Sequence, residues 1–210
     1  METWVSPNFK DDKLANPTLD DLIDVFEDRM TGWFMEPAKK LLSNRKDYPA
    51  SICLQMTYFE PIWAYMTGER SAGRSAEFFR EGFVSVFWRN GPPKLLLARV
   101  AAALYEDARC GFFHDGMFRK RIYFGDQGKA VFITLPLRDG IPDADGEIES
   151  ILLDPNRFHV NIAMHLKDYL ATIRNPRNEE QRRSFQAIFM ASQGRSRAIG
   201  LPNMGLEEGE

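Results

Sequence analysis

The sequence has few cysteines and no long apolar run, and both absences narrow the class of protein. Only Cys53 and Cys110 occur among 210 residues, so the chain has no disulfide framework and no cysteine spacing typical of a zinc site. No stretch approaches the roughly 18 uninterrupted apolar residues of a membrane-spanning helix, and the N-terminus lacks the apolar core of a signal peptide. We therefore expect a soluble, cytoplasmic protein that makes no use of a membrane.

Positive charge is not in excess either. The formal net charge of -3 gives no global attraction to polyanions, so binding of nucleic acid would need a local basic patch. His159 and His165 are six residues apart, a poor spacing for joint metal ligation on a helix, and the acids between Asp143 and Glu149 do not complete a calcium loop. We expect an acidic turn there, and neither a structural metal nor a cofactor.

Apolar residues are plentiful, and most of them recur at helical spacing. They make up 44% of the chain and include sixteen Phe, which is enough for one substantial core. Pro37 is expected to kink or end the first helix, and Pro61 to bend the second. The fold class is therefore mainly α, a bundle of four to six helices. The spacing predicts helices over about 18–34, 51–67, 75–88, 93–116, 156–174 and 179–192.

The pattern changes after Gly116, where short β-prone runs replace the helical spacing. The runs RIYF, AVFITLPL and IESILL are separated by GDQGK and by DGIPDADGE, which are rich in turn-forming residues. We predict a small antiparallel β insertion at about 121–153. Residues 1–193 then form a single helical domain that includes this insertion, and residues 194–210 form a flexible tail.

The stretch from Tyr105 to Gly116, YEDARCGFFHDG, carries the candidate chemistry. Arg109 offers a permanent charge that suits phosphate, and His114 can exchange a proton near neutral pH. Such a pair suits RNA cleavage through the 2′-hydroxyl, which needs proton transfer and charge stabilisation. On a straight α-helix a spacing of five residues separates two side chains by about 140°. The two therefore converge only if the helix distorts, which Gly111 allows, or if a second subunit contributes.

An account without catalysis fits the same residues. His114 lies in the expected last turn of the helix, where the helix dipole favours a cation. Arg109 would then pair with Glu106 or Asp107. Because arginine and histidine often stand five residues apart by chance, spacing alone favours this structural account.

The segment RCGFFH, from Arg109 to His114, resembles the signature of HEPN domains, an arginine followed after four to six residues by a histidine. The organisation of residues 18–174 is also similar to that family's helical bundle, in which the motif lies near the end of a late helix. The resemblance implies a metal-independent endoribonuclease in bacterial stress response or defence. It also implies that Arg109 and His114 are the catalytic pair, and that a homodimer brings two such pairs into one cleft.

Two features keep other interpretations open. Active members of that family often carry a polar residue directly after the arginine, whereas this chain has Cys110, which favours a non-catalytic helical binding or scaffold module with a degenerate site. The chain also has Gly116 where the toxin subtype has a tyrosine. A weaker hypothesis is a small-molecule binder that uses an aromatic interior between Tyr58, Trp63 and Phe78, although such residues are usually core.

A short basic cluster follows the motif. Arg119, Lys120 and Arg121 are positioned to contact an RNA backbone at the mouth of a cleft, which makes RNA the candidate partner. The competing interpretation is a solvated group of charges at the start of a strand.

Overall fold

The computed structural model describes residues 3–88, 93–119 and 121–193, so the predicted tail at 194–210 lies outside the described residues. Within these ranges the chain is mainly α-helical, as the sequence predicts. Two wider π-helical segments, Met30–Met35 and Tyr105–Asp115, continue α1 and α6 without interruption. The α-helices are α1 (Leu19–Arg29), α2 (Glu36–Leu41), α3 (Tyr48–Met56), α4 (Phe59–Thr67), α5 (Ser75–Phe87), α6 (Lys94–Leu104), α7 (Pro155–Arg174) and α8 (Glu179–Ser192).

The start of α1 follows directly from the local sequence. The Thr18 hydroxyl accepts a hydrogen bond from the Asp21 backbone N–H at 3.2 Å, and the Asp21 carboxylate accepts one from the Thr18 N–H at 2.8 Å. This reciprocal capping box satisfies two donors that the helix cannot pair internally. The predicted helix start is therefore confirmed.

Pro37 and Pro61 both change the helical backbone about one turn before their own positions. Pro37 does not end the first helix; the preceding turn widens, and the Glu36 N–H bonds to the Thr31 carbonyl five residues back. Pro61 breaks the second predicted helix at Thr57. Its ring crowds the Thr57 carbonyl, and it has no N–H that could bond to this carbonyl. The chain bridges this break with tight bonds from Thr57 and Tyr58 to carbonyls three residues back.

The centre of the bundle is an aromatic cluster on α4 and α5. The Phe59 ring lies 5.2 Å from Phe79, 5.3 Å from Phe83 and 5.7 Å from Phe158 of α7, all at steep interplanar angles. Such edge-to-face pairs stabilise a core beyond simple burial. The backbones also meet here, because a Cβ atom on Gly82 would overlap the Phe59 carbonyl oxygen.

The insertion at 121–153 is confirmed, but its sheet is mixed rather than antiparallel. β5 lies in the middle, antiparallel to β2 and parallel to β1, with Ile122 opposite Ile151. The chain between β1 and β5 is long enough to return to the same end of the sheet, so parallel pairing is possible. The strands are β1 (Ile122–Phe124), β2 (Val131–Thr134), β3 (Leu137–Arg138), β4 (Ile141–Pro142) and β5 (Ser150–Leu153), with β3 and β4 forming a separate hairpin.

Two arginines fasten the insertion to the helices. Arg99 of α6 donates to the carbonyls of Ala144 and Gly146 and so holds the acidic turn. Arg121, just before β1, donates to the carboxylate of Asp107 in the second π-helical segment. Buried residues of the sheet and of the helices belong to one hydrophobic cluster, so the insertion packs on the bundle.

We predict that Gly82→Ala destabilises the protein by at least about 1–3 kcal/mol, the usual cost of overpacking, because the new methyl group must push α5 away from the Phe59 carbonyl. Chemical denaturation measures the change. Gly125→Ala is the matched control, because its Cβ would meet only the flexible Leu152 side chain at 3.3 Å. Equal stability of the two variants would contradict the close contact.

Candidate functional site

The segment Tyr105–Asp115, which carries Arg109 and His114, is π-helical and not α-helical. Its backbone closes hydrogen bonds from residue i to i+5. In this register residues five apart, such as Arg109 and His114, are separated by about one turn, whereas an α-helix would turn them about 140° apart. A Cβ on Gly111 would lie 3.0 Å from the Met117 carbonyl oxygen, which means that glycine lets the returning chain pack closely. The segment ends at Gly116, which adopts a left-handed conformation.

In the described part of the chain, the side chains of Glu60 and Tyr105 hold Arg109. Its Nη2 donates to Glu60 Oε2 at 3.0 Å, and its Nη1 donates to the Tyr105 hydroxyl at 3.3 Å. The guanidinium also lies 5.0 Å from the centre of the Tyr105 ring. The expected pairing of Arg109 with Glu106 or Asp107 is thus replaced by a pairing with a residue on another helix. The Arg109 side chain remains 29% exposed.

Glu60 is the residue that the sequence analysis missed. Its Oε1 accepts hydrogen bonds from the hydroxyls of Ser71 at 2.7 Å and of Ser75 at 2.8 Å, so the carboxylate joins α4, the start of α5 and the π-helical segment. The side chain is only 19% exposed. A signal was available, because Glu60 is the single charged residue between Ser51 and Thr67.

The surroundings of Tyr105 keep its phenol protonated. Burial raises the pKa of Tyr105, and Cys110 raises it further, while the charge of Arg109 acts in the opposite direction. A protonated phenol both accepts the bond from Arg109 and retains a proton to donate. Cys110 is a half-buried free thiol beside this group.

His114 is exposed in the last turn of the π-helical segment. The final carbonyls of a helix have no partners inside the helix, so this end of the segment is open to a ligand. The next residue, Asp115, accepts a hydrogen bond from Arg119 Nε at 3.0 Å. His114 is therefore accessible to a ligand.

The two described arginines of the basic cluster, Arg119 and Arg121, have different partners. Arg121 is engaged by Asp107 and by the Ile148 carbonyl, and Lys120 lies outside the described residues. Arg119 is exposed and pairs with Asp115. Arg119 and Arg121 line a cavity of about 900 Å³ together with three acids, Asp107, Glu147 and Glu149. This excess of acids does not favour phosphate inside that cavity.

Other candidate residues serve the core. The Tyr58 hydroxyl and His165 Nδ1 are 2.9 Å apart, and the Ser85 hydroxyl lies 3.3 Å from His165 Nε2, so this histidine belongs to a buried polar network. Phe78 is fully buried. In the described part of the chain, no three His, Cys, Asp or Glu side chains are grouped so as to hold a metal ion.

Comparison with known proteins gives no relative. The chain matches no protein-family model, no curated protein and no solved structure. Of the helices in the described ranges, none has the length and apolarity needed to cross a bilayer.

We predict that Glu60 and Arg109 stabilise each other by about 1 kcal/mol, because their ion pair is partly buried and shared with two hydroxyls. A double-mutant cycle with Glu60→Gln and Arg109→Gln measures this coupling from denaturation curves. The exposed pair Arg74 and Glu69 provides the control cycle, for which we expect a coupling near zero. A coupling of Glu60 with Arg109 no larger than the control would show that the ion pair does not organise the site.

Proposed function

We propose that this protein is a metal-independent endoribonuclease with Arg109 and His114 at its active site. The substrate is single-stranded or unpaired RNA, because the 2′-hydroxyl must swing into line with the phosphate that it attacks. The products are a 2′,3′-cyclic phosphate and a free 5′-hydroxyl. As the resemblance to HEPN domains implies, its setting is stress response or defence.

In this reaction a base removes the 2′-hydroxyl proton while an acid protonates the departing 5′-oxygen. In the proposed reaction His114 supplies that proton from its exposed position in the last turn of the segment. Arg109 supplies positive charge to the non-bridging phosphate oxygens as the negative charge develops. Glu60 and Tyr105 fix the orientation of the guanidinium.

The observation that carries the proposal is the π-helical register of the segment from Tyr105 to Asp115. In an α-helix the two side chains would diverge, whereas bonds from residue i to i+5 bring Arg109 and His114 one turn apart. π-helical turns are uncommon and occur often at functional sites. The exposure of His114 also supports the proposal, because a proton donor must reach its substrate.

The proposal includes a homodimer. One copy contributes one histidine and one arginine, whereas the reaction needs both a base and an acid. A second copy, related by a two-fold axis, supplies the missing group from the same short segment. The active cleft would then lie between two π-helical segments.

The second candidate function is a non-catalytic helical binding module. Arg109 is neutralised by Glu60, and Cys110 stands where a polar residue would assist chemistry. In this case the Arg109 ion pair serves only to join α4 to the π-helical segment. The two candidates differ in whether His114 matters for anything beyond stability.

The decisive experiment is cleavage of a labelled RNA of mixed sequence in the presence of EDTA. We expect His114→Ala to lower the cleavage rate by at least about a hundredfold, the usual contribution of a proton donor. Arg109→Ala should lower it by a similar factor because the phosphate charge is left uncompensated. Mass spectrometry of the products should find 2′,3′-cyclic phosphate ends.

Arg80→Ala is the control, because it removes a partly exposed arginine of α5 whose ion pair in the described chain is with its neighbour Glu81. It should cleave at the wild-type rate. A substrate with a 2′-deoxy sugar at each cleavage site should remain intact. If wild-type protein leaves RNA intact, or if His114→Ala cleaves normally, the non-catalytic module is the correct interpretation.

We predict that the protein is a dimer and that its activity depends on the dimer. Light scattering should give a mass of two chains, and the cleavage rate per chain should fall when dilution produces monomers. A monomer by light scattering, with a rate per chain that does not change on dilution, would contradict the shared cleft and leave each copy to act alone.

A further inference from the structure

A groove on the side of the bundle has the properties of a small-molecule site. It lies between α7 and the continuous rod of α1, the first π-helical segment and α2, and its volume is about 470 Å³. Ligand pockets in proteins commonly measure about 300–1,000 Å³. Its apolar lining comes from Met35, Ala163, Leu166 and Leu170. None of the residues proposed for RNA cleavage lines it.

His159 gives the groove a polar group that the protein leaves unsatisfied. The side chain lines the groove and is 9% exposed, and its Nδ1 has no hydrogen-bond partner among the described residues. Buried polar atoms are almost always paired, so an orphaned one calls for a ligand or water. Burial, followed by the charge of Lys39, lowers the pKa of His159, so its imidazole is neutral at neutral pH. A neutral ring offers one donor and one acceptor.

Charged residues of both signs surround the groove, and only some of them form ion pairs. Arg174 pairs with Asp24 at 2.9 Å and with Glu27 at 2.6 Å. Lys39 and Lys167 are exposed at the rim, and neither forms an ion pair with a carboxylate of the described chain. Glu36 is the remaining acid at the rim. Lys39 and Lys167 are therefore the two cations of the groove that have no ion-pair partner in the described chain.

We infer that the groove binds a small amphiphile with an aliphatic tail and a carboxylate head. The tail packs on the apolar lining, and the carboxylate lies between Lys39 and Lys167, close enough for a polar atom of the ligand to reach the imidazole of His159. An aliphatic tail matches a lining that contains no aromatic ring other than the imidazole. This inference is independent of RNA cleavage and stands or falls separately.

The test is isothermal titration of the full chain with decanoate and, separately, with decanol. We expect saturable binding of one decanoate per chain, and about tenfold weaker binding of decanol, because decanol lacks the charge that the two lysines attract. Ala163→Trp fills the groove and should abolish binding of both. Met164→Trp, at the next and exposed position of α7, is the matched control and should bind like the wild type.

Head-group recognition is tested by charge removal. Lys39→Gln combined with Lys167→Gln should weaken decanoate binding about tenfold, to the level of decanol, without changing decanol binding. Lys40→Gln, at an exposed position that does not line the groove, should have no effect. His159→Phe keeps the ring volume and should weaken decanoate binding while the protein stays folded.

Three results would overturn the inference. The first is no saturable binding of decanoate to the wild-type protein. The second is binding that Ala163→Trp leaves intact, which would locate the site elsewhere. The third is loss of a dimer in Ala163→Trp without any decanoate binding in the wild type, which would make the groove an interface between copies.

Discussion

The close approach of α4 and α5 is the constraint on which the candidate site depends. Gly82 has no side chain, so the Phe59 carbonyl reaches the backbone of α5. The next residue, Glu60, therefore lies within hydrogen-bonding distance of Ser75, at the first position of α5, and of Arg109. A larger residue at position 82 would separate the helices and with them these polar contacts. The geometry of Arg109 is in this sense set by backbone packing in the core.

Features that depend on neighbouring residues were predictable. Helical spacing of apolar residues gave the bundle, Thr18 and Asp21 gave the start of α1, and β-prone runs between turn residues gave the insertion at 121–153. In each case the relevant interaction joins residues a few positions apart. The buried apolar residues of these helices and of the sheet belong to one continuous core.

Features that depend on contacts between distant residues were not predictable. The parallel pairing of β1 with β5 and the ion pair of Glu60 with Arg109 join parts of the chain far apart in sequence. The sequence indicated the Tyr105–Asp115 segment only as a helix that Gly111 allows to distort, and not as a π-helix, because helical spacing is assessed with the α-helical period. The only local hints were an isolated charge at Glu60 and a glycine at position 111.

Each of the two proposed sites contains one of the two π-helical segments. A π-helical turn is less favourable than an α-helical one, so it persists only where something compensates. After the first segment, Pro37 has no N–H, so an α-helical hydrogen bond would be lost there whichever register the turn adopts. The widened turn contributes Thr31 and Met35 to the lining of the groove. The second segment contains no proline. There the Asp107 carbonyl and carboxylate are bonded by the returning chain, and Glu60 holds Arg109. The second register is therefore stabilised by tertiary contacts made at the candidate site itself, and weakening them should return Arg109 and His114 to divergent directions.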